Sequence, residues 1–191
     1  RETSAVPDAR SPTVAIADAY LATVAREFPE AGTANDLPGT NHGALSDNTT
    51  AGIARWRAYE DSVLQQLRAI DSRSLGTGAD RVLHGVLLDQ VERDVGVRVC
   101  RLELWGVASY VNGWQASLTD LARVQPAGTD ELRALALQRA RAIPRYIDNE
   151  VVLLQQGLRA GYSSPKVIVR EVISQLDSLL AATPAQSPFS A

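Results

Sequence analysis

Two histidines, one cysteine and a close pair of tryptophans are the side chains of this 191-residue chain that could carry chemistry. His42 stands between Asn41 and Gly43 in a glycine-rich stretch, where a substrate contact and a plain solvated loop residue both remain open. His84 falls in a helical pattern with Leu87 and Leu88 at neighbouring face positions, and reads as a partly buried imidazole with one hydrogen-bond partner. A catalytic metal needs protein ligands at converging spacings. Gly85, Val86, Leu87 and Leu88 follow His84, so there is no His-Glu-x-x-His helix, and no Glu-x-x-His pair occurs. Asp89, Glu92 and Asp94 crowd one helix, but Arg93 and Arg98 stand among them, which reads as a solvated charged face. Cys100 has no partner for an internal disulfide or a thiolate cluster. Its Val- and Leu-rich setting reads as a small buried apolar position. There is no Gly-x-Ser-x-Gly elbow, and Gly76-Thr77-Gly78 is too short to mark a phosphate loop.

Leu104 to Trp114 is aromatic and glycine-punctuated, with Trp105, Gly106, Tyr110, Val111, Asn112, Gly113 and Trp114. It reads as a break between helices. Trp56, Trp105 and Trp114 suit a core, but a groove lined by Trp105, Tyr110 and Trp114 would suit peptide or glycan binding, because aromatic faces would stand beside free backbone polar groups.

The elements that must position these residues are helices. The chain is organised around Thr129 to Leu180. Thr129 can cap a helix with Asp130 and Glu131 in its first turn, and Leu132, Leu135, Ala136, Ile143, Ile147, Val151, Leu154 and Leu158 recur at helical spacing. Pro144 falls inside this pattern and is expected to kink or split it near Ala142. Gly161 can end the helix. Ser164-Pro165 can open the next as cap and first residue, ahead of the stripe Val167, Ile168, Val172, Ile173, Leu176, Leu179 and Leu180. Upstream, Ser11-Pro12 begins a helix closed by Pro29, and Glu30 to Ser46 reads as a long loop. A helix after Asp47 or Asn48 carries the seam Ile53, Trp56, Val63, Leu67 and Ile70, with Arg55, Arg57, Glu60, Asp61 and Arg68 mostly outside it. A third helix runs from near Ala79 to about Leu104, and a short one from Gln115 to Val124. The expected fold is all-α, an irregular bundle of about six helices with a long antiparallel C-terminal hairpin. Residues 1–10 would be an extended tail, 11–182 one helical domain, and 183–191 a linker or truncated end.

Net charge is −3 with Lys166 as the single lysine, which gives no support for nucleic-acid binding. No apolar run approaches the roughly 18 residues of a membrane span. Methionine is absent, even at position 1, and the small polar opening suits the start of a mature exported protein rather than a cytoplasmic one.

Four stretches together resemble the N-terminal half of the bacterial domain-of-unknown-function family 885. They are Tyr20 to Pro29 with its loop; Arg68 to Leu75 with Leu87 to Glu92; Leu104-Trp105 through Gly113; and Arg139 to Leu180, notably Ile143-Pro144-Arg145-Tyr146-Ile147 and Gly157 to Pro165. The Ser187-Pro188-Phe189 close fits as well. Members of that family resemble zinc metallopeptidases whose metal-binding helix lies in the C-terminal half. The resemblance implies zinc-dependent hydrolysis of peptides by an intact protein, with the catalytic half as the partner of this chain. No metal ligand or catalytic residue carries over to the residues present. On this reading Trp105, Tyr110, Asn112 and Trp114 line the substrate cleft and His42 sits on a lid. The alternative is a stand-alone helical interaction module without catalysis, and either would be compatible with an oligomer. An independent hydrolase using Cys100 or a serine is the remaining, least supported reading.

Overall fold

The computed structural model describes residues 11–76, 78–106, 109–111 and 113–187. The expected tail at 1–10, Asn112, and the close at 188–191 lie outside these residues. Among them the chain is all-α, with seven helices and no strand: α1 (Pro12–Glu27), α2 (Pro29–Ala34), α3 (Thr50–Arg68), α4 (Gly78–Val97), α5 (Trp114–Val124), α6 (Asp130–Arg159) and α7 (Lys166–Ala181).

The core forms where the seam of α3 meets α4. Val63, Leu64, Leu67, Leu87 and Val91 are buried together, with Ile16, Ala17 and Tyr20 of α1 packed against them. Burying each such side chain contributes roughly 1.5–3 kcal/mol. His84 is buried here, and its Nε2 donates to the Leu67 carbonyl at 2.9 Å. Because a carbonyl only accepts, this bond sets the Nε2–H tautomer, and the imidazole locks α4 to the end of α3.

Several local expectations are corrected. The loop beginning at Glu30 opens with helix α2, because Pro29 suits a first helical position and Phe28 serves as the junction with α1. The helix expected after Asp47 or Asn48 begins at Thr50 with Thr49 as its cap: Thr49 Oγ1 accepts from the Gly52 N–H at 3.1 Å, while Asp47 in turn accepts from Thr49. α4 stops at Val97. Single 3-10 turns at Arg98–Cys100 and Leu102–Leu104 follow, separated by Arg101 at φ 49, a left-handed conformation that reverses the chain. The turn leaves Cys100 exposed rather than buried. Pro144 does not split α6, which runs unbroken for 30 residues. Pro144 and Ala140, whose carbonyl the missing N–H would have met, are both exposed, so water can take that bond.

α6 begins as expected, with the Leu132 N–H donating to Thr129 Oγ1 at 3.2 Å. Gly161 at φ 82 turns the chain toward α7. Ser164 does not cap α7; its hydroxyl donates to the Trp105 carbonyl at 2.6 Å, and the helix starts at Lys166. The apolar stripe of α7 is only partly covered among the described residues: Ile168, Val172, Leu176 and Leu179 are half-buried, and none of its residues is fully buried. Val167, Ile173 and Leu180 are exposed there, as are Leu137, Val151, Val152 and Leu158 on α6. No described helix is long and apolar enough to cross a membrane.

Candidate functional site

α1, α3, the end of α4, the two 3-10 turns and Tyr146 of α6 enclose a cleft of about 640 Å³. One wall is aromatic. Trp56 of α3 packs edge-on to Phe28, with ring centroids 4.7 Å apart, and lies 5.9 Å from Tyr20. Such pairs add roughly 0.5–1.5 kcal/mol beyond burial and hold the rings in fixed orientations.

Beside it the lining is charged: Glu60 stands one turn after Trp56 on α3, and the reversal at Arg101 brings Arg98 and Glu103 to the same cleft. Arg98 turns back onto α3: Nη2 donates to Glu60 Oε2 at 2.7 Å and to the Arg57 carbonyl at 3.0 Å, and Nη1 donates to Asp61 Oδ1 at 2.7 Å. Beyond the turn, Glu103 accepts from Arg57 at 2.9 Å and from Arg101 at 2.8 Å. Three ion pairs, Arg98 with Glu60 and Asp61 and Arg57 with Glu103, therefore clip the turns to α3. Glu60 is only 5% exposed. Burial pushes its carboxyl above the ordinary value, against the pull of Arg98. Burial acts in the same sense on Glu103, but hydrogen bonds from Arg101 and Arg57 hold that carboxyl below its usual value. The Tyr20 hydroxyl is pushed up to about 12 by burial and then by the negative charges of Glu60 and Asp94. It stays protonated at neutral pH and can donate.

The floor hangs on a polar cluster. Asn48 Nδ2 donates to Glu150 Oε1 at 2.6 Å and to the Tyr146 carbonyl at 2.9 Å, and its Oδ1 accepts from Asn149 at 2.8 Å. Burial raises the pKa values of both Glu150 and Tyr146. Past Tyr146 the cleft opens into an annex of about 240 Å³. Phe28, Ala31, Ser46 and Tyr146 line both spaces, and Trp114, Ser117 and Leu118 of α5 form the far side. The result is a groove charged at one end and apolar at the other.

A second buried site fixes the loop beside the annex. Arg139 of α6 spends its five N–H groups on neutral acceptors: the carbonyls of Ala44, Asn41 and Pro29, Thr33 Oγ1 and Gln125 Oε1. Burial pulls its pKa below the ordinary arginine value. The five bonds pin the segment after α2 and the end of α5 to α6.

The residues singled out from sequence separate. Trp114 lines the annex. The Trp105 indole donates to the Cys100 carbonyl at 2.9 Å, and Trp105 lines neither space. Tyr110 is exposed, and its carbonyl accepts from Gln175. His42 Nδ1 meets Thr33 Oγ1 at 3.0 Å and its carbonyl accepts from Gln125, which places it in the Arg139 cluster. None of the three tryptophans is fully buried. Glu60 belongs to the charges expected mostly outside the α3 seam, and Asp94 and Arg98 to an expected solvated face, yet all three line the cleft. A signal existed for Glu60. It stands four after Trp56 and three before Val63, in line with the seam. Asp94 and Arg98 carried no such mark.

Among the described residues no three His, Cys, Asp or Glu side chains converge to hold a metal ion. What the groove can do by itself is bind and orient an amphipathic ligand. Residues 29–191 match the family described as bacterial protein of unknown function (DUF885). No curated protein and no solved structure matches the chain.

Proposed function

The chain belongs to the DUF885 family of bacterial proteins, and from that premise we propose that it forms the substrate-side helical part of a zinc-dependent, metallopeptidase-like hydrolase acting on peptides. The observation that carries this reading is the two-ended groove. Peptides present charged and apolar side chains on one backbone, and a cleft with an ion-paired end and an aromatic end offers both kinds of contact. Holding an extended peptide in one pose is a large part of what a hydrolase requires, since alignment removes the entropy of bringing reactants together.

The described residues do not fit zinc, because no three candidate ligands converge. In this reading the metal and the reacting groups belong to a catalytic part outside the described residues. The chain's own contribution is to bind, orient and partly dehydrate the peptide. Exposed apolar side chains on α6 and α7 support a neighbour of this kind: Leu158 is 66% and Leu180 84% exposed, and large apolar residues left in water suit a contact surface.

The test combines metal analysis with peptide binding and peptide hydrolysis by the purified chain. The expected result is binding of short peptides, no hydrolysis, and zinc far below one ion per chain. Hydrolysis with one tightly held zinc, or failure to bind any peptide, would overturn the proposal.

A further inference from the structure

Every carboxylate lining the cleft has a guanidinium partner except one. Glu60 is paired with Arg98, Glu103 with Arg57 and Arg101, Asp47 with Arg55, and Glu27 with Arg26. Asp94 accepts a hydrogen bond from Gln90 at 2.8 Å and has no ion pair among the described residues. It is half-buried at the cleft, next to Tyr20 and the buried Glu60. Its neighbours on the same helix differ: Asp89 is paired with Arg93 and Glu92 with Arg68, and neither lines the cleft.

A carboxylate without a cation stands here beside aromatic rings. That combination has a complement. A cation with an apolar stem can lay its methylenes on the rings of Tyr20 and Trp56 and put its charge on the carboxylate. Of the five carboxylates in the lining, Asp94 is the one whose charge no guanidinium meets among the described residues. We propose that the Asp94 end of the cleft takes the cationic side chain of a lysine or arginine in a bound peptide, with Asp94 as its counter-ion and Tyr20 and Trp56 as the bed for its stem. This rests on the reading of the groove as a peptide site and adds its charge preference.

The test uses tripeptides blocked by acetyl and amide groups, Ala-Lys-Ala and Ala-norleucine-Ala, with Ala-norleucine-Ala carrying a free amino terminus as a third arm. Binding to the whole chain is followed by the shift of the Trp56 indole N–H resonance. The expected result is at least tenfold tighter binding of the blocked lysine peptide than of its blocked norleucine analogue. Asp94→Asn should abolish that preference, while Asp89→Asn should leave it intact. Equal affinity of the two blocked peptides in the unaltered chain overturns the inference and leaves the peptide site standing. If the free-amine norleucine peptide binds as tightly as the lysine one, the pocket reads a terminal ammonium and the side-chain assignment fails. If no peptide moves the resonance, both the inference and the peptide reading fall.

Discussion

Asn48 donates through Nδ2 to Glu150 Oε1 at 2.6 Å, across 102 residues of chain, and so ties the segment before α3 to the middle of α6. Both residues are buried, and Glu150 is 4% exposed. The bond makes α6 the floor of the cleft, because Asn48 also holds the carbonyl of Tyr146.

The pH dependence of this bond has a definite sign. Burial raises the Glu150 carboxyl above its ordinary value, so the folded chain keeps that proton to higher pH than the unfolded chain. The resulting stability is complete below the ordinary carboxylate range and is lost as pH rises through the raised value. Glu150→Gln keeps an acceptor for Asn48 and removes the charge. It should match or exceed the parent at pH 7, by up to about 1 kcal/mol, and lose that margin by pH 4. Urea midpoints of both proteins at the two pH values check this, and a margin that grows on acidification would contradict it.

Arg139→Lys is expected to destabilise the fold by about 3 kcal/mol despite keeping the charge. Lysine has three donors where five are used, and it cannot reproduce the planar fork. The half-buried carbonyl of Ala44 would lose its side-chain donor, while that of Asn41 would keep only the Ala44 N–H. Hydrogen exchange should show the loss first in residues 35–49, before α3 and α4.

Gly157→Ala tests how the cleft rim is anchored. A Cβ at this position would collide with the backbone carbonyl of Leu104, on the 3-10 turn that carries Glu103. Backbone cannot yield as a flexible side-chain tip does, so a cost of roughly 1–3 kcal/mol is expected. If the turn shifts instead, the Arg57–Glu103 pair opens and peptide affinity drops with little loss of stability. Thermal melts and peptide titration on the same sample separate the two responses.

Trp114→Ala enlarges the annex without touching the ion pairs. Binding of a peptide bearing phenylalanine should weaken about tenfold, while a peptide bearing only alanine should be unaffected. Equal weakening of both would place Trp114 in the fold rather than in ligand contact.

Cys100 is exposed, so one thiol per chain should react with Ellman's reagent in the native state as fast as in denaturant. Slow native reaction would restore the buried position that its Val- and Leu-rich neighbours imply.

The sequence by itself determined the helical class and most helix starts, because caps and periodicity depend on residues within one or two turns. Thr129 with Asp130 and Glu131 opens α6 where those residues require, and Val63 and Leu67 of the α3 seam are buried where its spacing directs, while Ile53 and Trp56 line the cleft. Tertiary structure decided where the charges go. The α3 seam marks the place of Glu60 but not its partner, and Arg98, which reads as a surface base, is held at the cleft by that carboxylate from 38 residues away. Arg139 likewise meets Thr33 across 106 residues. A charged side chain reads as solvated until its partner is known, and a partner that distant is set by how the helices pack, not by any local pattern.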